Sequence, residues 1–280
     1  MKNKLTSLFG GLNDHPLNEQ TNDLLKDLDP SLFNLNFNNY NRESAIYCAQ
    51  LSEISYWETP KIEDLYQEIC EKYPTLNHSY DFIDYTNNNN HTQALLWGTN
   101  KFLVLSFRGT EPTKLKDWFS DAKFWNYQSI PTNQTDFVDM PPGHGGFRTS
   151  LNNLVKHKNL YGRIEEIITK INPEANIKSF PIFLTGHSLG AGISQFFIEP
   201  LSLKGFNFGG AYHFAPPLAV TCGYYDHMKS NYGNKVYDIV NYKDYVPRAG
   251  RNNTAHFGKF YRICTDGLIY KEQELSLIHI

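Results

Sequence analysis

The residues best placed to do chemistry are Gly186-His187-Ser188-Leu189-Gly190, a G-x-S-x-G pentapeptide. It follows a continuous apolar run at 179–185 and precedes a helical pattern at 191–203. A strand, a sharp turn and a helix are the setting in which a serine hydroxyl is pushed out of the chain as a nucleophile. Gly186 and Gly190 supply room beside the turn, and Ala191 and Gly192 extend it. The helix behind Ser188 aims the positive end of its dipole at the reacting oxygen. The backbone N–H of Leu189 is then one oxyanion donor.

A serine hydroxyl needs a base, usually a histidine steadied by a carboxylate. In α/β-hydrolases the order along the chain is Ser, then acid, then His. Among the downstream acids, Asp244 lies just past an expected strand at 236–240. That is the strand end where open α/β sheets bind ligands. Asp238, inside the strand, and Asp226, in a polar helix-like stretch, are expected to be solvated. His256 is the candidate base within the chain; His279, in the last six residues, is the other histidine after Asp244.

The elements that must position these groups follow from periodicity. Helices are expected at 42–57, 62–70, 151–171 and 191–203. Strands are expected at 93–98, 101–107, 179–185, 210–214 and 235–240. Strands alternating with helices imply an α/β fold with a mostly parallel central sheet flanked by helices. Residues 1–40, polar and rich in asparagine, read as a loosely held segment ahead of a single domain at 41–274.

The chain resembles the class 3 (fungal-type) lipase family, of the α/β-hydrolase superfamily, through several motifs in order. Phe107-Arg108-Gly109-Thr110 resembles its F-R-G-[ST] strand end, Asp117-Trp118 with Asp121 its tryptophan element, and His144-Gly145-Gly146-Phe147 its H-x-G-F. The Ser188 turn is its elbow. His213-Phe214-Ala215-Pro216-Pro217 resembles its F-[GA]-x-P turn, and Asn241-x-x-Asp244-x-Val246-Pro247-Arg248 its acid loop. The resemblance implies that Thr110 is the second oxyanion donor and that His187 is a packing residue. It also implies a lid at 111–119 over an apolar acyl cleft, making transient contact with a lipid surface.

The family also complicates the base. His256 stands at the spacing of a histidine that is not the family's base, which comes several tens of residues after the acid. Residues 275–280, Leu-Ser-Leu-Ile-His-Ile, match the translation of a transposon end used in sequencing libraries. They are expected to be a non-native tail, with the true base beyond the chain end.

Composition narrows the rest. The net charge is -3, with no basic excess to favour nucleic acid. No stretch approaches the roughly 18 apolar residues of a transmembrane helix, and no standard signal peptide is present, leaving a cytoplasmic protein or one exported by another route. The cysteines Cys48, Cys70, Cys222 and Cys264 lack C-x-x-C spacing and are expected as buried thiols. No cofactor and no metal-ligand spacing is implied. The expected function is hydrolysis of lipid carboxylic esters through an acyl-enzyme. The alternatives are a phospholipase or esterase of other acyl substrates, or a non-catalytic lipase-like binding module.

Overall fold

A computed structural model describes residues 28–87, 91–109, 143–241, 244, 246–248, 254–263 and 269–271. Its centre is an eight-stranded sheet in the order β1-β2-β3-β4-β5-β7-β9-β10. The strands are β1 (His78–Thr86), β2 (His91–Thr99), β3 (Phe102–Phe107), β4 (Pro181–His187), β5 (Asn207–Phe214), β7 (Val236–Asn241), β9 (Lys259–Ile263) and β10 (Ile269–Lys271). Strands β3, β4, β5, β7 and β9 run parallel. The β1–β2–β3 meander and β10 add antiparallel edges. A separate two-stranded pair joins β6 (Val220–Thr221) to β8 (Thr254–Ala255). This is the expected α/β-hydrolase architecture.

Alternate residues of the central strands feed two cores. Leu103, Leu105, Ile182 and Leu184 face one side; Phe102, Val104 and Phe183 face the other. A strand buried on both faces is apolar at most positions, and that is why these runs are near-continuous rather than alternating; Ser106 and Thr185 are the buried hydroxyls among them. Helices α3 (Gly145–His157), α4 (Leu160–Ile171) and α5 (Leu189–Leu203) cover the first side, together with Met228 of α6 (Cys222–Tyr232). Helices α1 (Arg42–Ile54) and α2 (Thr59–Lys72) cover the second.

The structure departs from the sequence expectations in several places. The expected helix at 151–171 is two helices, broken where Asn159 takes a left-handed conformation with φ 51°. Asparagine tolerates that region better than most residues, and the break lets α4 turn onto β1 and β2. Strand β1 escaped the periodicity. Only three of its nine residues are buried, two of them polar (His78 and Ser79), so the strand carries a weak apolar signal.

Residues 28–40 are packed rather than loose. Phe33 stacks on Phe102 with ring centroids 4.4 Å apart, and Phe37 lies 4.5 Å from Phe183. Tyr212 Oη takes the Asn41 N–H and donates to the Asn41 carbonyl, while Tyr237 donates to the Phe37 carbonyl at 2.7 Å. The polar asparagines between these aromatics bond to the local backbone. Their abundance therefore hid a segment that closes the second core.

The thiols also differ from expectation. Cys48 is buried, but Cys70 is half-buried and Cys222 exposed, all three unbridged. Cys264 lies outside the described residues. None of the described helices is long and apolar enough to cross a membrane.

Candidate active site

Ser188 sits between the end of β4 and the start of α5 with φ 55° and ψ -122°. This backbone conformation costs an L-residue on the order of 1–3 kcal/mol and persists only where its surroundings enforce it. Here they do. The Ser188 N–H donates to the Phe214 carbonyl at 2.9 Å, and its own carbonyl takes the Gly192 N–H at 3.2 Å. A Cβ on Gly186 would stand 2.5 Å from the Gly190 carbonyl carbon. A Cβ on Gly190 would collide with the Phe107 carbonyl. The two glycines thus let α5 press directly onto the ends of β3 and β4.

Leu189 opens α5, so its N–H belongs to the first turn, where no helix carbonyl can take it. The expected donor is therefore at the turn. Gly109, the residue before Thr110, lies against the elbow, since a Cβ there would collide with the His187 carbonyl. Thr110 itself, the lid stretch 111–119, Asp117, Trp118 and Asp121 lie outside the described residues, as does His279. Ser188 is fully buried, and among the described residues no hydrogen-bond partner meets its Oγ.

Asp244 stands beyond β7, as expected. Its N–H donates to Asn241 and its Oδ1 accepts the Val246 N–H at 2.8 Å. Burial raises its carboxyl above the ordinary aspartate value, and the Val246 hydrogen bond offsets only part of that. Asp244 and His187 line one small depression, with Ala215, Asn241 and Ile263 among its other walls. The Asp244 loop and the residue before Ser188 therefore line the same depression.

His187 is buried, and burial pulls its imidazole down to about 4. Its Nδ1 lies 3.4 Å from the Tyr56 hydroxyl. It is a neutral packing ring at ordinary pH, in line with its expected role.

His256 does not join Asp244. Its Nε2 meets the Pro247 carbonyl at 2.9 Å, and its Nδ1 lies 3.6 Å from Asp238 Oδ2. A nitrogen that must donate to a carbonyl is not available to take the serine proton, so the geometry argues against His256 as base. Asp238, expected in solvent, is buried at 1% exposure and also meets His213 Nδ1 at 3.1 Å. The sequence showed an aspartate in a strand; it could not show that two neighbouring elements each bring a histidine to it.

Two outcomes test this geometry. Ser188→Gly should be about 1 kcal/mol more stable than Ser188→Ala, because glycine accepts the positive φ; equal stabilities in denaturant would mean the turn is unstrained. His187 should make the fold acid-labile. Its folded-state value lies below the unfolded one of about 6.5, so the unfolded chain binds the extra proton and stability is lost as pH falls from 6.5 through 4. Its contribution is roughly 3 kcal/mol. Denaturation at a series of pH values should show this slope flattened in His187→Gln, and an unchanged slope would contradict it.

Comparison with known proteins agrees with the geometry. No curated protein sequence matches the chain. Solved structures do, at low identity. A lipase from Rhizopus microsporus var. chinensis is 16% identical, with 82% of this chain and 78% of that one covered at a TM-score of 0.58. Lipase II from Rhizopus niveus is 16% identical, with 80% and 82% covered and a TM-score of 0.58. A fungal lipase solved as an inhibitor complex is 19% identical, with 79% of each chain covered and a TM-score of 0.57. These likenesses establish the fold. The family model for lipase (class 3) matches residues 104–253, more than half of the chain, and the protein therefore belongs to the class 3 lipase family.

Proposed function

We propose that the protein is a serine hydrolase of carboxylic esters, acting on lipid acyl esters. The observation that carries this reading is the strained Ser188 at the amino end of α5, on a turn whose neighbour His187 lines the same depression as Asp244. Ser188 Oγ attacks the ester carbonyl. The Leu189 N–H and Thr110 take the oxyanion, each donor worth about 10²–10³ in rate. The alcohol leaves, an acyl-enzyme remains, and water releases the acid.

The proton must pass through an imidazole. Asp244 is the carboxylate assigned to orient it, and the depression beside Asp244 is where that ring would stand. With His256 held by Pro247 and facing Asp238, no histidine among the described residues is assigned as the base. The buried Ser188 hydroxyl also requires that covering atoms move aside before an ester can reach it. An apolar substrate presented at a lipid surface fits that requirement better than a small soluble ester.

Hydrolysis of p-nitrophenyl esters and triacylglycerol emulsions of graded chain length tests the reading. Ser188→Ala should lose about 10⁴-fold or more of kcat, and Asp244→Asn about 10³–10⁴-fold. Asp244→Asn should not lower the melting temperature at neutral pH. Burial raises the aspartate's folded-state value, so its ionised form opposes folding as pH rises through that value, and the amide removes this cost. Activity that survives Ser188→Ala would overturn the proposal.

A further inference from the structure

A chain of buried polar side chains runs through the sheet beneath the site. Ser194 Oγ on α5 lies 2.9 Å from His213 Nε2 on β5. His213 Nδ1 lies 3.1 Å from Asp238 Oδ1 on β7. Asp238 Oδ2 faces His256 Nδ1 at 3.6 Å, and His256 Nε2 meets the Pro247 carbonyl at 2.9 Å. Ser194, His213 and Asp238 are at most 1% exposed, and the His256 side chain is 6% exposed.

Hydrogen-bond direction fixes part of the chemistry. A carbonyl can only accept, so His256 carries a proton on Nε2. Oδ1 of an ionised Asp238 can only accept, so His213 carries a proton on Nδ1, and in the neutral ring its Nε2 takes the Ser194 hydroxyl. Among the described residues, Asp238 Oδ2 and His256 Nδ1 have no hydrogen bond to any other group. They are left to serve each other. The chain comes this close to Asp238 because residue 258 is glycine, where a Cβ would stand 2.9 Å from Oδ2.

We propose that His256 and Asp238 are positioning residues that clamp the acid loop to the nucleophile helix; this rests on the assignment of Ser188 and Asp244 above. Pro247, which His256 grips, directly follows Val246, whose N–H holds the Asp244 carboxylate. Ser194 lies less than two turns along α5 from Ser188. The polar chain therefore ties together, through the inside of the sheet, the two loops that a serine hydrolase must keep in register. Neither His256 nor Asp238 touches a reacting atom. Three links of the chain are hydrogen bonds, and the fourth is the 3.6 Å polar contact between Asp238 and His256, so the two loops are joined by that one contact.

Hydrogen–deuterium exchange on the full-length protein reads the clamp directly. His256→Phe keeps a ring and deletes the donor, whereas His256→Gln keeps a donor. Exchange at the Val246 amide should rise about 10-fold in His256→Phe and return to within about twofold in His256→Gln, with β4 and β5 still protected. Labelling of Ser188 by a fluorophosphonate should follow the same order, about 10-fold slower and then restored. Unchanged Val246 exchange in His256→Phe, an equal rise across the sheet, or no rescue by glutamine would overturn the clamp. Should His256→Phe fail to fold, Asp238→Asn carries the same exchange measurement, and wild-type protection there would overturn it. A wild-type protein that takes no label refutes the hydrolase reading, while the exchange result still decides the clamp.

Discussion

The site depends on how closely α5 approaches the ends of β3 and β4. Gly186 and Gly190 set that distance, because any side chain at either position would meet backbone rather than a movable side chain. The closeness holds Ser188 at a positive φ, directly before the first turn of α5. Strain and hydroxyl placement are thus consequences of one contact. The cost is borne by the rest of the fold, since a turn of this kind persists only when rigid elements hold both of its ends.

Those elements are rigid because the parallel strands are covered on both faces. On one side α5 packs over β4 with Ile193, Phe196 and Phe197, against a layer that includes Phe147. On the other, α1 packs beside an aromatic layer in which Phe33, Phe37 and Tyr40 of the 28–40 segment meet Tyr212 of β5 and Tyr237 of β7. Strand β7 belongs to both stories. Its Tyr237 and Ile239 join the aromatic core, its Asp238 points the other way into the polar chain, and its end launches the Asp244 loop. The carboxylate assigned to orient the base and the one assigned to position the loop come from the same short strand and its extension.

Much of this was legible in the sequence, for physical reasons. A strand buried on both faces is apolar at most positions, so β3 and β4 announced themselves. A tight strand-to-helix turn needs glycines at fixed offsets, so the turn at Ser188 and Leu189 could be located. Asp244 followed from its place past a strand end. What failed were features set by tertiary contact. The kink at Asn159 conserves helical periodicity on both sides and so leaves no trace in it. The asparagine-rich stretch from 34 to 41 looked solvated because the burial of Phe37 and the docking of Tyr212 and Tyr237 are long-range events. The burial of Asp238 depends on His213 and His256, which lie on different neighbours, and no local pattern reports that.

The central claim is that Ser188 is a nucleophile made reactive by its turn. Mass spectrometry of the full-length protein after exposure to a lipid-chain phosphonate ester tests it most directly. One covalent adduct should form, carried by the peptide containing Ser188 and absent from Ser188→Ala. An unmodified wild-type protein in the presence of a lipid surface, or an adduct on another residue, would contradict the account.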